Sequence, residues 1–115
     1  MDPRRHERRA HFRGRPRPGR VMPVRYRPAR EDGWVDAETR DIGVGGAFIA
    51  TAHRRPAIGD ELVVELALPT SDQKFTLPAI VRWVRPGDDG GMGVQFVGVD
   101  VDVLLELNDY FASLS

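Results

Sequence analysis

Between Lys74 and Arg85 apolar side chains fall on every second position: Phe75, Leu77, Ala79, Val81 and Trp83. Period-two alternation marks a strand that buries one face, so these five side chains are expected inside. The stretch Glu61–Pro69 repeats the pattern, with Leu62, Val64, Leu66 and Leu68 facing inward and Val63, Glu65 and Ala67 outward. Four more β-prone segments, Arg20–Arg27, Gly33–Ile42, Gly46–Thr51 and Met92–Val97, are each bounded by Gly, Pro or Asp. The links PAIGDE, PTSDQK and PGDDGG are short enough for antiparallel hairpins, and no link holds the helix that a parallel crossover needs. A mainly β fold follows: six antiparallel strands, closed or half-closed into a barrel so that a small sheet has no exposed edge.

The period changes at the end of the chain. From about Val101, Val103, Leu104, Leu107, Phe111 and Leu114 recur at spacings of three and four, which predicts one amphipathic helix covering the open end of the barrel. Asp100 or Asp102 is expected to cap it by accepting backbone N–H bonds. Residues 1–19 show no apolar periodicity and three prolines, so they are read as an extended, flexible arm preceding a barrel domain over 20–115.

Charge sets that arm apart. Residues 1–30 carry eleven arginines against Asp2 and Glu7, a balance of +9, while residues 31–115 carry six basic against fifteen acidic side chains, or −9. All but one of the seventeen basic residues are arginine. Guanidinium offers a planar fork of donors suited to phosphate and to the N7/O6 edge of guanine. The bland alternative is a solvated tail. At 115 residues the chain fits a single domain. It shows neither a bilayer-spanning apolar run nor a signal-peptide core, and it has no cysteine, so a cytoplasmic location without membrane insertion is expected.

Groups that carry catalysis are sparse. His6, His11 and His53 lack metal-site spacing and a cysteine partner, and Ser71, Ser113 and Ser115 lie outside any nucleophile-elbow pattern. Neither a metal, a cofactor nor an enzyme is indicated. The cluster Gly43, Gly45 and Gly46 has no following helix and no P-loop lysine, so it is no nucleotide-hydrolase loop. Its glycines are expected to supply positive φ and close backbone approach. Among the aromatics, Trp34, Phe48, Phe75, Trp83 and Phe96 are read mainly as core, leaving no evident exposed stacking platform. Phe12 is read as an anchor of the arm.

The arm and the glycine turn make sense together. RRAHFR, Arg8–Arg13, contains an RxxxR pair, Arg9 and Arg13, and DIGVGG, Asp41–Gly46, follows at the end of the second strand. This pairing resembles the PilZ domain family, receptors for the bacterial second messenger cyclic di-GMP, whose pattern is RxxxR followed by [DN]xSxxG. PVRYR, GGAFIAT and GMGVQF resemble the first strand, the segment after the motif and the closing strand, so the likeness runs from about Glu7 to the C-terminal helix. Arg4 with Arg8 and Arg5 with Arg9 satisfy the same spacing. Arg9 with Arg13 is preferred, being nearest the first strand and having Arg8 beside it.

The resemblance implies a six-stranded PilZ-type barrel with a C-terminal helix, cyclic di-GMP as ligand and no catalytic site. By position it assigns Arg8, Arg9 and Arg13 to phosphates and guanine faces, Asp41 to a guanine edge, and Gly43 and Gly46 to the loop beneath the ligand. Gly43 stands where the family has Ser, which removes one hydroxyl. Two other readings stay open: an adaptor that binds no nucleotide and works through a downstream protein partner, and, less favoured, a basic arm that binds nucleic acid in a salt-dependent manner.

Overall fold

A computed structural model describes residues 19–51, 56–69 and 73–114. Six strands, β1 (Pro23–Pro28), β2 (Val35–Ile42), β3 (Gly46–Ala50), β4 (Glu61–Ala67), β5 (Lys74–Arg85) and β6 (Gly91–Phe96), are followed by one helix, α1 (Val101–Ala112). The sheet closes in the order β1-β2-β3-β6-β5-β4, and every pair is antiparallel. The expected barrel is therefore present and fully closed, and each strand edge is paired.

Alternation fills the interior as the sequence implies. Leu62, Val64 and Leu66 of β4, Leu68 just after it, and Phe75, Leu77, Ala79 and Val81 of β5 are all buried beside Val24, Tyr26, Ile49, Met92 and Val94. Outside, Arg25 lies opposite Glu65 and grips it through two bonds, Nε to Oε1 at 2.6 Å and Nη2 to Oε2 at 3.3 Å. This guanidinium holds the Glu65 carboxyl below the usual carboxylate range. Arg25 and Arg27 both lie over the ring of Trp34, at 4.5 and 5.1 Å, so Trp34 is half-buried under cations rather than in the core.

Two bulges break the alternation, and each re-aims a side chain. In β2 the register shifts between Thr39, opposite Ile49, and Asp41, opposite Phe48, so Arg40 is the extra residue. Thr39 and Ile42, three positions apart, can then both point inward, and Asp41 shares the outer face with Phe48. In β5 the shift lies between Val81, opposite Val94, and Trp83, opposite Gly93. This corrects the expectation for Trp83. The bulge at Arg82 moves its side chain out of the barrel, leaving it 44% exposed.

Helix α1 presses Leu107, Tyr110 and Phe111 into the core, with Val103 and Leu114 packed at the margin. Two details differ from the sequence reading. Leu104 is exposed, and Tyr110, which the sequence reading left out, is buried. Asp100 is the N-cap residue, but its side chain makes no capping bond; its carbonyl accepts from the Leu104 N–H at 2.9 Å, and Asp102 supplies a carboxylate to the first turn. No helix among the described residues is long and apolar enough to cross a membrane.

Candidate functional site

The turn between β2 and β3 is closed by backbone bonds that need no left-handed residue. Gly43 N–H donates to the Gly46 carbonyl at 2.9 Å, and the Gly45 carbonyl accepts from Phe96 N–H at 2.9 Å. Gly19, Gly33, Gly59, Gly87 and Gly98 are the described glycines with positive φ, so the expectation that Gly43, Gly45 and Gly46 supply it is not met. Close approach is what the cluster provides. A Cβ on Gly46 would stand 2.2 Å from the Val94 carbonyl oxygen, whereas one on Gly45 would meet nothing within 4 Å and one on Gly43 only the Arg20 guanidinium, at 3.7 Å. Gly46 lets β3 lie against β6; Gly43 and Gly45 leave the rim of the turn open.

The root of the arginine arm is fastened beside this turn. Arg20 Nη1 donates to the Ile42 carbonyl at 2.8 Å, and its guanidinium covers the Phe111 ring at 4.7 Å. Thr39, fully buried, accepts from the Met22 N–H at 2.9 Å and donates to the Arg20 carbonyl at 2.9 Å. Tyr110 donates its hydroxyl to the Gly19 carbonyl at 3.0 Å. The chain thus enters the barrel between the end of β2 and the C-terminal half of α1. Arg8, Arg9, Arg13 and the Phe12 anchor lie outside the described residues, as does all but Gly19 of the expected arm. Of the assigned site residues, the structure brings Asp41, Gly43 and Gly46 together in one turn.

A second feature adjoins Asp41. Phe48 is its partner on β3, Gly93 is the partner of Phe48 on β6, and Trp83 is the partner of Gly93 on β5, so the four form one line across the outer surface. The Phe48 and Trp83 rings stack with centroids 5.0 Å apart and planes inclined by 8°, and the Arg85 guanidinium lies 4.8 Å from the Phe48 centroid and 5.6 Å from that of Trp83. Gly93 makes room for Trp83, since a Cβ there would stand 2.1 Å from its Nε1; a Cβ on Gly91 would first meet the Ile49 carbonyl oxygen of β3, at 2.2 Å, and also Phe48 Cζ at 3.0 Å. An exposed aromatic platform therefore exists, contrary to the sequence reading, which placed both rings in the core. For Trp83 the bulge in β5 makes the difference, and its one local trace is the glycine pair at alternate positions of β6; Phe48 faces outward because its neighbour Ile49 fills the interior.

Arg20, Thr39 and Tyr110 were likewise invisible as site residues. Arg20 is one arginine among eleven, and the contacts of Thr39 and Tyr110 are made across 17 and 91 residues of sequence. Among the described residues no group of three or more His, Asp or Glu side chains is gathered to hold a metal.

Comparison with known proteins agrees with this geometry. The inhibitor of motility from Bacillus subtilis, MotI/DgrA, superposes with a TM-score of 0.70 at 17% identity, over 83% of this chain and 47% of its own. This chain thus spans about half the length of that one. The PilZ domain of CeSA from a cellulose-synthesizing bacterium superposes with a TM-score of 0.63, again at 17% identity, over 84% of this chain and 96% of its own. At that identity the likeness speaks to the fold. No curated protein matches the sequence. The family model for the PilZ domain does match, over residues 4–113, which takes in the arginine motif, the glycine turn, all six strands and the helix. The chain belongs to the PilZ domain family.

Proposed function

We propose that the protein is a receptor for cyclic di-GMP, held between the N-terminal arginines and the β2–β3 turn. The observation that carries this reading is the position of Arg20, whose guanidinium bonds the Ile42 carbonyl between Asp41 and Gly43. Arg13 lies seven positions before Arg20, a covalent reach of at most about 25 Å, and Arg9 eleven positions before it, about 40 Å. Both arginines can therefore be brought over the turn from an arm that starts beside it.

The chemistry of the ligand matches these groups. Two phosphates and two guanines call for bidentate guanidinium contacts, supplied by Arg8, Arg9 and Arg13, and for a carboxylate that accepts from guanine N1 and N2, supplied by Asp41. Gly43 and Gly46 keep the floor of the turn low. Arginines this dense repel one another in the free arm; two bound phosphates offset part of that repulsion and of the entropy lost on ordering it. A surface rearranged in this way can be read by a downstream protein, the partner expected of a domain that acts as receptor or adaptor rather than as an enzyme. A cytoplasmic bacterial setting is part of the same proposal, since that is where the messenger acts.

Isothermal calorimetry with cyclic di-GMP tests it. Arg9→Ala and Arg13→Ala are expected to lose most of the affinity and His11→Ala little; equal affinities in the three variants would remove the assignment. One observation favours an adaptor that binds no nucleotide: Gly43, which lacks the hydroxyl of the family pattern. Unsubstituted protein that gives no heat with cyclic di-GMP would select that reading.

A further inference from the structure

We propose that the acidic groove between α1 and the start of β5 is a dock for residues 15–18 of this same chain in the ligand-free protein, and that it competes with cyclic di-GMP for the arm. The dock stands apart from the receptor reading; the competition rests on it.

The groove, of about 340 Å³, is lined by Phe75 on the barrel side and by Asp102, Val103, Leu105, Glu106 and Asp109 on the helix. Its apolar part is open, with Leu105 56% exposed. Its charge is of one sign: α1 contains no basic residue, and no described Lys or Arg lines the groove. Asp102 and Glu106 stand four apart, where like charges destabilise a helix, and Asp109 lies in the last turn, where the helix dipole disfavours an anion. None of the three forms an ion pair with another described residue. Folding gains nothing from this arrangement, whereas a cationic occupant relieves it. The same charge turns away a second copy of this face and a nucleic-acid backbone.

The occupant of matching charge is tethered at the end of the groove. Tyr110 donates to the Gly19 carbonyl at 3.0 Å, and Tyr110, Glu106 and Asp102 form one ridge of the helix at steps of four residues. At 1.5 Å per residue Glu106 lies about 6 Å from Tyr110 along the axis and Asp102 about 12 Å. The segment that leads into Gly19 reads Arg15-Pro16-Arg17-Pro18. Extended as alternating prolines favour, at roughly 3.1 Å per residue, it carries Arg17 about 6 Å and Arg15 about 12 Å from Gly19. The two cations thus match the two carboxylates in spacing, and Pro16 and Pro18 supply rings for the apolar floor at Val103 and Leu105. A tether this short holds the segment at an effective concentration of about millimolar, and its prolines reduce the entropy lost on docking.

Competition follows from direction. Arg20 turns towards the Phe111 ring and the Ile42 carbonyl, beside the β2–β3 turn. Glu106 is five residues from Phe111, about 140° round the helix, so the acidic ridge lies on the other flank of the buried stripe. An arm laid along that ridge leads Arg13 and Arg9 away from Asp41, and it must leave the ridge before they can close over the turn.

The chain has no cysteine, so Gly14→Cys takes a single nitroxide next to Arg15. In the ligand-free protein the label is expected to broaden the amide signals of residues 101–106. High salt, Asp102→Asn with Glu106→Gln, and Arg15→Gln with Arg17→Gln are each expected to abolish that broadening. By calorimetry the Asp102→Asn, Glu106→Gln protein is expected to bind cyclic di-GMP roughly two- to tenfold more tightly, since two exposed ion pairs no longer hold the arm elsewhere. Thermal melting shows whether each variant is folded. No broadening at residues 101–106, or broadening kept by either neutralised pair, overturns the dock. Unchanged affinity in the neutralised protein overturns the competition. Absence of binding by the unsubstituted protein removes the competition together with the receptor reading, while the label still decides the dock.

Discussion

Replacing Gly46 with alanine tests whether the turn is held by close strand approach. An added Cβ would stand 2.2 Å from the Val94 carbonyl oxygen, with the Val94 carbonyl carbon at 3.2 Å and Gln95 Cα at 3.3 Å. Cβ contacts under 3.0 Å are essentially never realised, so about 0.8 Å must be opened between β3 and β6, and the obstacle is backbone that has no rotamer to change. The bonds from Gly43 N–H to the Gly46 carbonyl and from Phe96 N–H to the Gly45 carbonyl lie at this junction. Losing or stretching both, at about 1 kcal/mol each, together with the strain of the displaced strand, gives a destabilisation of about 2–3 kcal/mol. For a domain of this size that lowers the melting temperature by roughly 10–20 °C. The matched control is Gly45→Ala, one residue away, where the new methyl meets nothing within 4 Å and the melting point should hold or rise slightly. Differential scanning calorimetry of the two variants is the assay. A Gly46→Ala protein that melts with Gly45→Ala would refute the claim that β3 and β6 meet too closely for a side chain.

Gly43→Ser restores the hydroxyl of the family pattern at a position whose φ is not left-handed and whose Cβ would lie an ordinary 3.7 Å from Arg20 Nη1; the variant should melt like the parent and bind cyclic di-GMP up to about tenfold more tightly by calorimetry. Thr39→Val keeps the buried volume but removes the hydroxyl that serves Met22 N–H and the Arg20 carbonyl, so chemical denaturation should show a loss of about 1–3 kcal/mol, with ligand affinity falling as the arm root loosens.

What the sequence showed was whatever a single strand or helix determines by itself. Alternation over Leu62–Leu68 and Phe75–Val81 fixes which side chains fill the barrel, and short Gly- and Pro-bounded links fix antiparallel pairing. Spacings of three and four after Val101 place the helix. The failures share a cause. Trp83 follows Val81 at the correct period for the interior, and nothing within β5 announces that two of its residues oppose one of β6. In the same way Leu104 fits the helical stripe but is exposed, while Tyr110, whose hydroxyl donates to the Gly19 carbonyl at the other end of the chain, is buried. Local period cannot register a partner that distant. At the candidate site the motif residues Asp41, Gly43 and Gly46 were legible as a contiguous string. Arg20, Thr39 and Phe48, which frame that string, lie outside it in the sequence.

The two bulges set this surface apart from the other faces of the barrel. A strand paired without interruption commits alternate residues to the core, and its outer side chains answer only to their cross-strand neighbours, as Arg25 and Glu65 do. One extra residue in β2 lets Thr39 and Ile42 both serve the interior while Asp41 turns outward. One extra residue in β5 releases Trp83 from the interior, which Val81 still fills. Between them run β3 and β6, with Gly46 and Gly91 where the two strands must touch and Gly93 where the indole lies against the sheet. Asp41 and the Trp83 ring are thus turned outward by departures from regular pairing that leave the core intact. The root of the arginine arm is pinned to the edge of that same surface through Ile42 and Thr39. Substitutions that alter the display without touching the core are therefore the ones that separate binding from folding in this domain.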